Sequence, residues 1–158
     1  MATDSGMLAR LEAWFVEQLT ALEHDGKKVF KTVDHWRGQI GLDAGGVESF
    51  DQFAPYAFVA FSPTGPERAG GYDLNRKITI TVAIGQTSKA AGIARIGDAN
   101  HPGISLIHTL VINLFEGQHP GDGFTCDEFY FISELQNVNH PKRFGMQLFF
   151  SANYLPVS

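Results

Sequence analysis

Two stretches of the chain have the apolar spacing of helices that pack one side against a core. Apolar residues recur at steps of three and four over the first of them, at Leu8, Leu11, Phe15, Leu19 and Leu22. Asp4 or Ser5 can cap this helix, and Asp25–Gly26 is a stop signal. Pro102–Phe115 predicts a second helix, since proline is well tolerated in a first turn. We interpret the apolar stripe of the first helix as core packing; a helix that binds a partner is the alternative.

Five segments have the pattern of β-strands. Lys28–Val33 is a short candidate, and Arg76–Ile84 alternates strictly between apolar and polar positions. Tyr56–Phe61 is continuously apolar, which predicts a strand buried on both faces. Phe124–Leu135 and Phe144–Tyr154 are long alternating strands near the end of the chain. The last of these carries apolar groups on both faces, so we expect it to be covered on both sides.

The connections are rich in glycine, proline and small residues. Ser62–Asp73 has two prolines and three glycines and predicts a loop. Gln86–Asn100 predicts a second loop, with a short helical turn at Ser88–Ile93. Val47–Phe53 is a short helix or a turn, and Asn137–Arg143 is a hairpin-like connection. Loops of roughly 12–15 residues are usually functional or disordered, which draws attention to the first two.

These elements predict one α+β domain over residues 1–158. Its sheet is mostly antiparallel, has four to five strands and packs against two main helices. No repeat, low-complexity tract or linker suggests a second domain. A chain of 158 residues is long enough to bury a core without disulfides or metals.

Charge and hydropathy limit the kinds of partner expected for this chain. The net charge is −5, so a broad electrostatic surface for nucleic acid is not expected. The start of the chain lacks a basic region followed by an apolar core, and no apolar run approaches about 18 residues. We therefore expect a soluble chain, without a membrane partner, in the cytoplasm.

Few residues have the spacing of a catalytic or binding site, and we predict no catalytic, cofactor-binding or metal-binding residues. Cys126 is the single cysteine, placed mid-strand, and a structural role is expected because no base or lowered pKa is indicated. The closest histidines, His101 and His108, would lie about two helical turns apart, too far to share a metal. His108 is best explained as a core histidine with a satisfied ring. The glycine-rich segments match neither a phosphate-binding loop nor a nucleophile elbow.

The order of elements resembles a phage family. MLARLEAWFVEQL forms the first helix, and PYAFVAF is a proline followed by an apolar strand. A glycine-rich loop, the strand KITITVAIG, a second loop, a helix and two closing strands ending in ANYLP complete the order. This pattern, over nearly the whole chain, resembles the Mu-like prophage tail terminator or tail completion proteins, which are similar to the tail terminator of phage lambda.

The resemblance implies a structural function. Such proteins form a ring, usually hexameric, at the head-proximal end of the tail tube in the virion. The ring ends tube polymerisation and joins the tail to the head connector, while DNA passes through its centre without specific binding. The implied partners are the chain itself, the tail tube protein and the head–tail connector protein, with assembly in the bacterial cytoplasm.

The two central loops are the expected contact regions of such a ring. Basic residues in or beside them can meet acidic neighbours in an assembly, or can simply keep the surface soluble. The candidate assembly-interface residues are Arg68, Tyr72, Arg76, Lys89, Arg95 and His101.

Two other classes of function stay open. The chain could be another head–tail connector or minor tail protein of similar fold. It could instead be a small enzyme or ligand-binding domain, which would require a deep pocket with convergent polar groups.

Overall fold

The computed structural model describes residues 6–39, 46–63, 67–69, 73–75 and 77–153. The helices are α1 (Met7–Ala21), α2 (Gly46–Phe53), α3 (Ile93–Ile96) and α4 (Ile104–Phe115). The strands are β1 (Glu23–His24), β2 (Lys27–Lys28), β3 (Thr32–His35), β4 (Tyr56–Pro63), β5 (Glu67–Ala69), β6 (Asp73–Asn75), β7 (Lys77–Thr87), β8 (Tyr130–His140) and β9 (Arg143–Asn153).

Five strands form one sheet in the order β3-β4-β7-β9-β8. β3 runs parallel to β4, and every other neighbouring pair is antiparallel. β1 pairs with β2, and β5 with β6, in two separate hairpins. The predicted α+β class with a mostly antiparallel sheet is therefore confirmed.

The main core lies between one face of the sheet and helices α1 and α4. Alternate residues of β7, Ile78, Ile80, Val82 and Ile84, are completely buried there. The rings of Phe15 in α1 and Phe115 in α4 stack with their centroids 4.1 Å apart. The stripe of α1 therefore packs in the core, because it is buried at Met7, Leu11, Phe15 and Leu19.

Helix α2 covers one end of the opposite face of the sheet. Phe50, Tyr56 and Phe58 form a small second core there. Alternate residues of β4, Ala57 and Val59, belong to the main core. The prediction that this strand is buried on both faces is confirmed for Tyr56–Val59, whose four side chains are all buried.

Strand β9 is covered on both faces only near its start. Gly145 is buried beneath α2, where a side-chain carbon would meet Phe50 and Tyr56. Further along, Leu148 and Phe150 are fully buried in the main core, whereas Phe149 on the other face is half-exposed. The expected cover on both faces is thus only partial in the second half of β9, where Gln147, Phe149 and Ser151 are of intermediate exposure.

The predicted loops contain more regular structure than expected. β4 continues to Pro63, and within Ser62–Asp73 the strand β5 forms a hairpin with β6. β7 extends to Thr87, and the short helix lies at Ile93–Ile96 instead of Ser88–Ile93. Pairing with a neighbouring strand satisfies the hydrogen bonds of the backbone whatever the side chains are. The prediction from local composition therefore made these strands too short.

The remaining boundary errors concern the predicted strands Lys28–Val33 and Phe124–Leu135. The first is split between β2 and β3, with Val29–Lys31 outside both. The second begins only at Tyr130 and runs to His140, so most of the predicted connection at Asn137–Arg143 belongs to β8. Two register shifts interrupt β8, between Phe131 and Ser133 and between Gln136 and Val138. Such bulges break the two-residue alternation that located the strand in the sequence.

Candidate functional site

A cavity of about 800 Å³ opens at the end of the sheet where β7 finishes and β9 begins. The loop after β7 forms one wall and the β8–β9 turn forms the other. The backbone N–H groups of Ser88 and Gly92 join these walls by donating to the carbonyls of Lys142 and Pro141, at 2.9 and 2.7 Å. We call this cavity the basic cleft; its polar lining includes Asp51, Thr87, Ser88, Lys89, Asp98, His101, Lys142 and Arg143.

An ion pair ties the floor of the basic cleft to helix α2. The Arg143 guanidinium donates from Nε to Asp51 Oδ1 at 2.7 Å and from Nη2 to Oδ2 at 2.6 Å. Thr87 Oγ1 also donates to Oδ1, at 2.8 Å. The hydrogen bond from Arg143, more than any other contact, lowers the pKa of Asp51. Asp51 and Arg143 therefore neutralise each other inside the cleft.

Asp98 is also satisfied by its own loop. Its Oδ1 accepts from the backbone N–H groups of Asn100 and His101, at 2.9 and 2.8 Å, and lies 3.3 Å from His101 Nδ1. These contacts, the Asn100 N–H first, lower the pKa of Asp98. The ammonium groups of Lys89 and Lys142, in contrast, have no carboxylate partner among the described residues, and both side chains are exposed. They are the cations of the cleft that can meet an external anion.

The predicted interface residues differ in where the structure places them. Lys89 and His101 both line the basic cleft, so the structure brings these two together. Arg95 is exposed on α3 and does not line the cleft. Arg68 lies in β5, but its side chain is outside the described residues. Tyr72 and Arg76 lie outside the described residues altogether.

A second surface was missed by the sequence prediction. Strand β8 lies at the edge of the sheet and, in the ranges the structure describes, pairs with β9 alone. Three of its apolar side chains point into solvent: Tyr130 is 50% exposed, Ile132 is 55% and Leu135 is 54%. We call these three residues the β8 edge. The apolar composition of the segment is visible in the sequence, but only the fold shows that these three side chains are exposed among the described residues.

A smaller apolar groove of about 220 Å³ lies on the sheet face that carries α2. Trp36 forms its rim, packed edge-on against Phe58 with ring centroids 6.0 Å apart. Val138 of β8 lies on the groove lining as well. The groove therefore begins close to the strand that carries the β8 edge.

Cys126 lies just before β8 and not within a strand, which corrects its predicted mid-strand position. Its thiol is fully buried, and burial, with the nearby charges of Asp127 and Glu128, raises its pKa to about 11. A thiol in that environment stays protonated near neutral pH, so it is a poor nucleophile.

His35, His101 and His108 each contact one carboxylate through a ring nitrogen. His108 Nε2 lies 2.5 Å from Glu134 Oε2, so its ring is satisfied as predicted, although the side chain is 27% exposed and not fully in the core. His101 precedes α4 instead of sharing its helix with His108. His35 Nδ1 lies 2.5 Å from Glu12 Oε1, which connects β3 to α1. Among the described residues, no three His, Cys, Asp or Glu side chains converge as a metal site.

No family model matches the chain, and no curated protein matches it significantly. In the described ranges, none of the helices has the length and apolar character needed to cross a membrane. The fold and the two surfaces, the basic cleft and the β8 edge, are therefore the basis for a functional proposal.

Proposed function

We propose that the chain is a structural protein of a phage tail or a tail-like particle. It forms a ring at the head-proximal end of the tail tube, ends tube polymerisation and joins the tail to the head connector. Two lines of support combine: the order of sequence elements resembles Mu-like tail terminator and completion proteins, and the fold has the α+β class that this resemblance implies.

The observation that carries the proposal is the β8 edge. Exposed apolar side chains on a sheet-edge strand favour association with another chain, because burial removes their apolar surface from water. The register shifts on either side of Ser133–Gln136 interrupt the regular backbone of this edge. Contact through the exposed side chains, more than continuous strand addition, is therefore the expected mode of association. We assign this surface to the tail tube protein.

The mechanism of such a ring is steric and cohesive. A ring bound to the last layer of tube subunits covers the surface on which the next layer would assemble, and offers the connector a new one. The net charge of −5 also suits a ring through which DNA passes without adhering, since like charges repel.

The test combines size measurement with binding to tube ends. We expect the wild-type chain to form rings of about six subunits in mass photometry or negative-stain images, alone or on purified tail tubes. Ile132→Lys with Leu135→Lys should abolish binding to tube ends, because burying a lysine ammonium at an apolar contact is costly. Thr109→Lys, on the exposed side of α4, is the matched control and should bind normally. A wild-type chain that stays monomeric and never binds tube ends would exclude the ring.

A different tail or neck position is a variant of the same function. A connector or minor tail protein of this fold would bind the connector or the tube wall instead of the tube end. Co-sedimentation with purified tubes and purified connectors, followed by imaging of where the chain is located, separates these positions.

The basic cleft favours one other class, a small-molecule-binding domain. Its volume and the exposed ammonium groups of Lys89 and Lys142 are compatible with a small anionic ligand. Calorimetric titration with inorganic phosphate and with citrate tests this alternative. Saturable binding that Lys89→Ala and Lys142→Ala remove would support it, and the absence of heat would count against an anion site.

A further inference from the structure

Among the side chains that the structure describes, the two ends of the sheet carry opposite charge. At the end where β7 finishes at Thr87 and β9 begins at Arg143, the basic cleft and helix α3 bring cations together. There Lys89, Arg95, Lys142 and Arg143 outnumber the carboxylates Asp51 and Asp98. The adjoining β1–β2 hairpin is balanced, with Glu23 and Asp25 against Lys27 and Lys28.

The opposite end of the sheet is acidic. Asp127 reaches the last residue of β9 by donating its N–H to the Asn153 carbonyl at 3.0 Å, so the segment before β8 lies at this end. The carboxylates of this acidic end are Glu116, Asp122, Asp127 and Glu128. Of the cations that the structure describes, two lie among them: Arg10, whose Nη1 donates to the Gly123 carbonyl at 3.2 Å, and Lys77, which starts β7.

Two of these four carboxylates are hydrogen-bonded within the fold, and the other two are exposed to solvent. Glu116 accepts the Phe131 N–H at 2.7 Å, and Asp127 accepts from the backbone N–H and side-chain amide of Asn153. Asp122 and Glu128 are exposed and have no hydrogen bond within the described ranges. They correspond to Lys89 and Lys142 at the other end: two exposed charges beside charged groups whose hydrogen bonds are already made within the fold.

We infer that the basic cleft of one copy of this chain binds the acidic segment 122–128 of a second copy. The inference rests on the proposed ring, for which it names the contact between neighbouring subunits. The complementary surfaces are both present on one chain, so no other partner is needed to supply the opposite charge. The cleft volume of about 800 Å³ is large enough to admit several side chains of the neighbouring copy.

Such a contact is heterologous, because two different surfaces of the same chain meet. Heterologous contacts build a closed ring when each step rotates by a suitable angle, and an open filament otherwise. Contacts between two basic ends, or between two acidic ends, are disfavoured by repulsion, so all subunits point the same way around the ring. Ile132 and Leu135 of the β8 edge belong to neither of the two contact surfaces, so they remain available to bind the tube.

A charge-swap experiment tests the contact. Lys89→Glu with Lys142→Glu makes a chain with two acidic ends, and Asp122→Lys with Glu128→Lys makes one with two basic ends. We expect the dissociation constant for self-association of each variant alone to rise at least tenfold. An equimolar mixture should regain assemblies in which the two variants alternate. Lys27→Glu with Lys28→Glu changes the net charge equally outside the cleft and is the matched control, expected to assemble like the wild type. Circular dichroism confirms that every variant is folded.

The outcomes separate this contact from the ring itself. If the wild type assembles but neither swap weakens assembly, the proposed contact between the basic cleft and segment 122–128 is wrong, although the ring itself is not excluded. The same holds if the mixture of the two variants fails to assemble. If the control weakens assembly as much as the swaps, net charge and not the cleft is responsible, which also overturns the contact. Filaments that show the swap pattern would support the contact and contradict the ring. Raising the salt concentration from about 50 mM to 500 mM should weaken wild-type assembly, because screening acts on exposed charges.

Discussion

The ring of Tyr56 in β4 lies directly over Gly85 in the neighbouring strand β7, so closely that a side chain at residue 85 would overlap it. Tyr56 also stacks with Phe58 at 5.0 Å and meets Phe50 edge-on at 5.2 Å. The absence of a side chain at residue 85 thus allows α2 and β4 to form the second core.

Gly85→Ala should therefore destabilise the protein by about 1–3 kcal/mol, the usual cost of overpacking. The free energy of unfolding in urea measures this. Gly145→Ala is a milder test of the same kind and should reduce stability by less, since the added side-chain carbon would lie 3.2–3.3 Å from its nearest neighbours. In a Tyr56→Ala background, Gly85→Ala should lose most of its effect. An equal cost in both backgrounds would show that Tyr56 is not the cause.

The ion pair between Asp51 and Arg143 should contribute modestly to stability. Both side chains are partly exposed, so Asp51→Asn is expected to lose about 0.5–1 kcal/mol. The pKa of Asp51 is lowered in the folded state, so its contribution is present above the ordinary value of 3.8 and is lost as the pH falls below it. Urea unfolding of wild type and variant at pH 7 and near pH 3 should therefore show a difference that shrinks in acid. Asp122→Asn, at an exposed carboxylate without a hydrogen bond in the described ranges, is the control and should change the free energy of unfolding at pH 7 by about 0.5 kcal/mol or less.

Phe115 should be among the most sensitive core residues. It is fully buried and stacks with Phe15 between α1 and α4. Phe115→Ala removes this ring and leaves a cavity, at a cost of about 3–5 kcal/mol. Ile96→Ala, where the side chain is 67% exposed, should change stability by about 0.5 kcal/mol or less. Thermal or urea unfolding measures both, and similar costs would contradict the described core.

Cys126 should make the protein sensitive to alkali. The pKa of its thiol rises from 9.0 to about 11 on folding, because burial disfavours the thiolate. Below pH 9 both states keep the proton; as the pH rises from 9 towards 11, only the unfolded chain loses it, so stability falls. Cys126→Ala should lose less stability than the wild type over this range. The buried Tyr56 hydroxyl, whose pKa is also raised, contributes equally to both proteins.

Thiol labelling gives an independent check on Cys126. A thiol reagent such as dithionitrobenzoate should react slowly with the folded protein and rapidly in denaturant. Rapid labelling of the folded chain would place the thiol at the surface and remove the basis for the alkaline effect.

The helices and the class of the fold were predictable because their signals are local and repeated. The stripe of α1 and the alternation of β7 each extend over several turns or strand pairs, so they survive small errors in boundaries. Lys89 and His101 were likewise predicted as interface candidates from their place in loops, and both line the basic cleft. Their roles as contact residues stay predictions.

The sequence by itself determined which faces of α1, α4, β4 and β7 are apolar and hence which surfaces had to be buried. Only the tertiary structure decided that Asp51 meets Arg143 across 92 positions, and that β8 is an edge strand with Tyr130, Ile132 and Leu135 uncovered. It also separated the charges into a basic and an acidic end. The physical reason is that periodicity depends on neighbours along the chain, whereas strand order and surface charge depend on which distant segments the fold brings together.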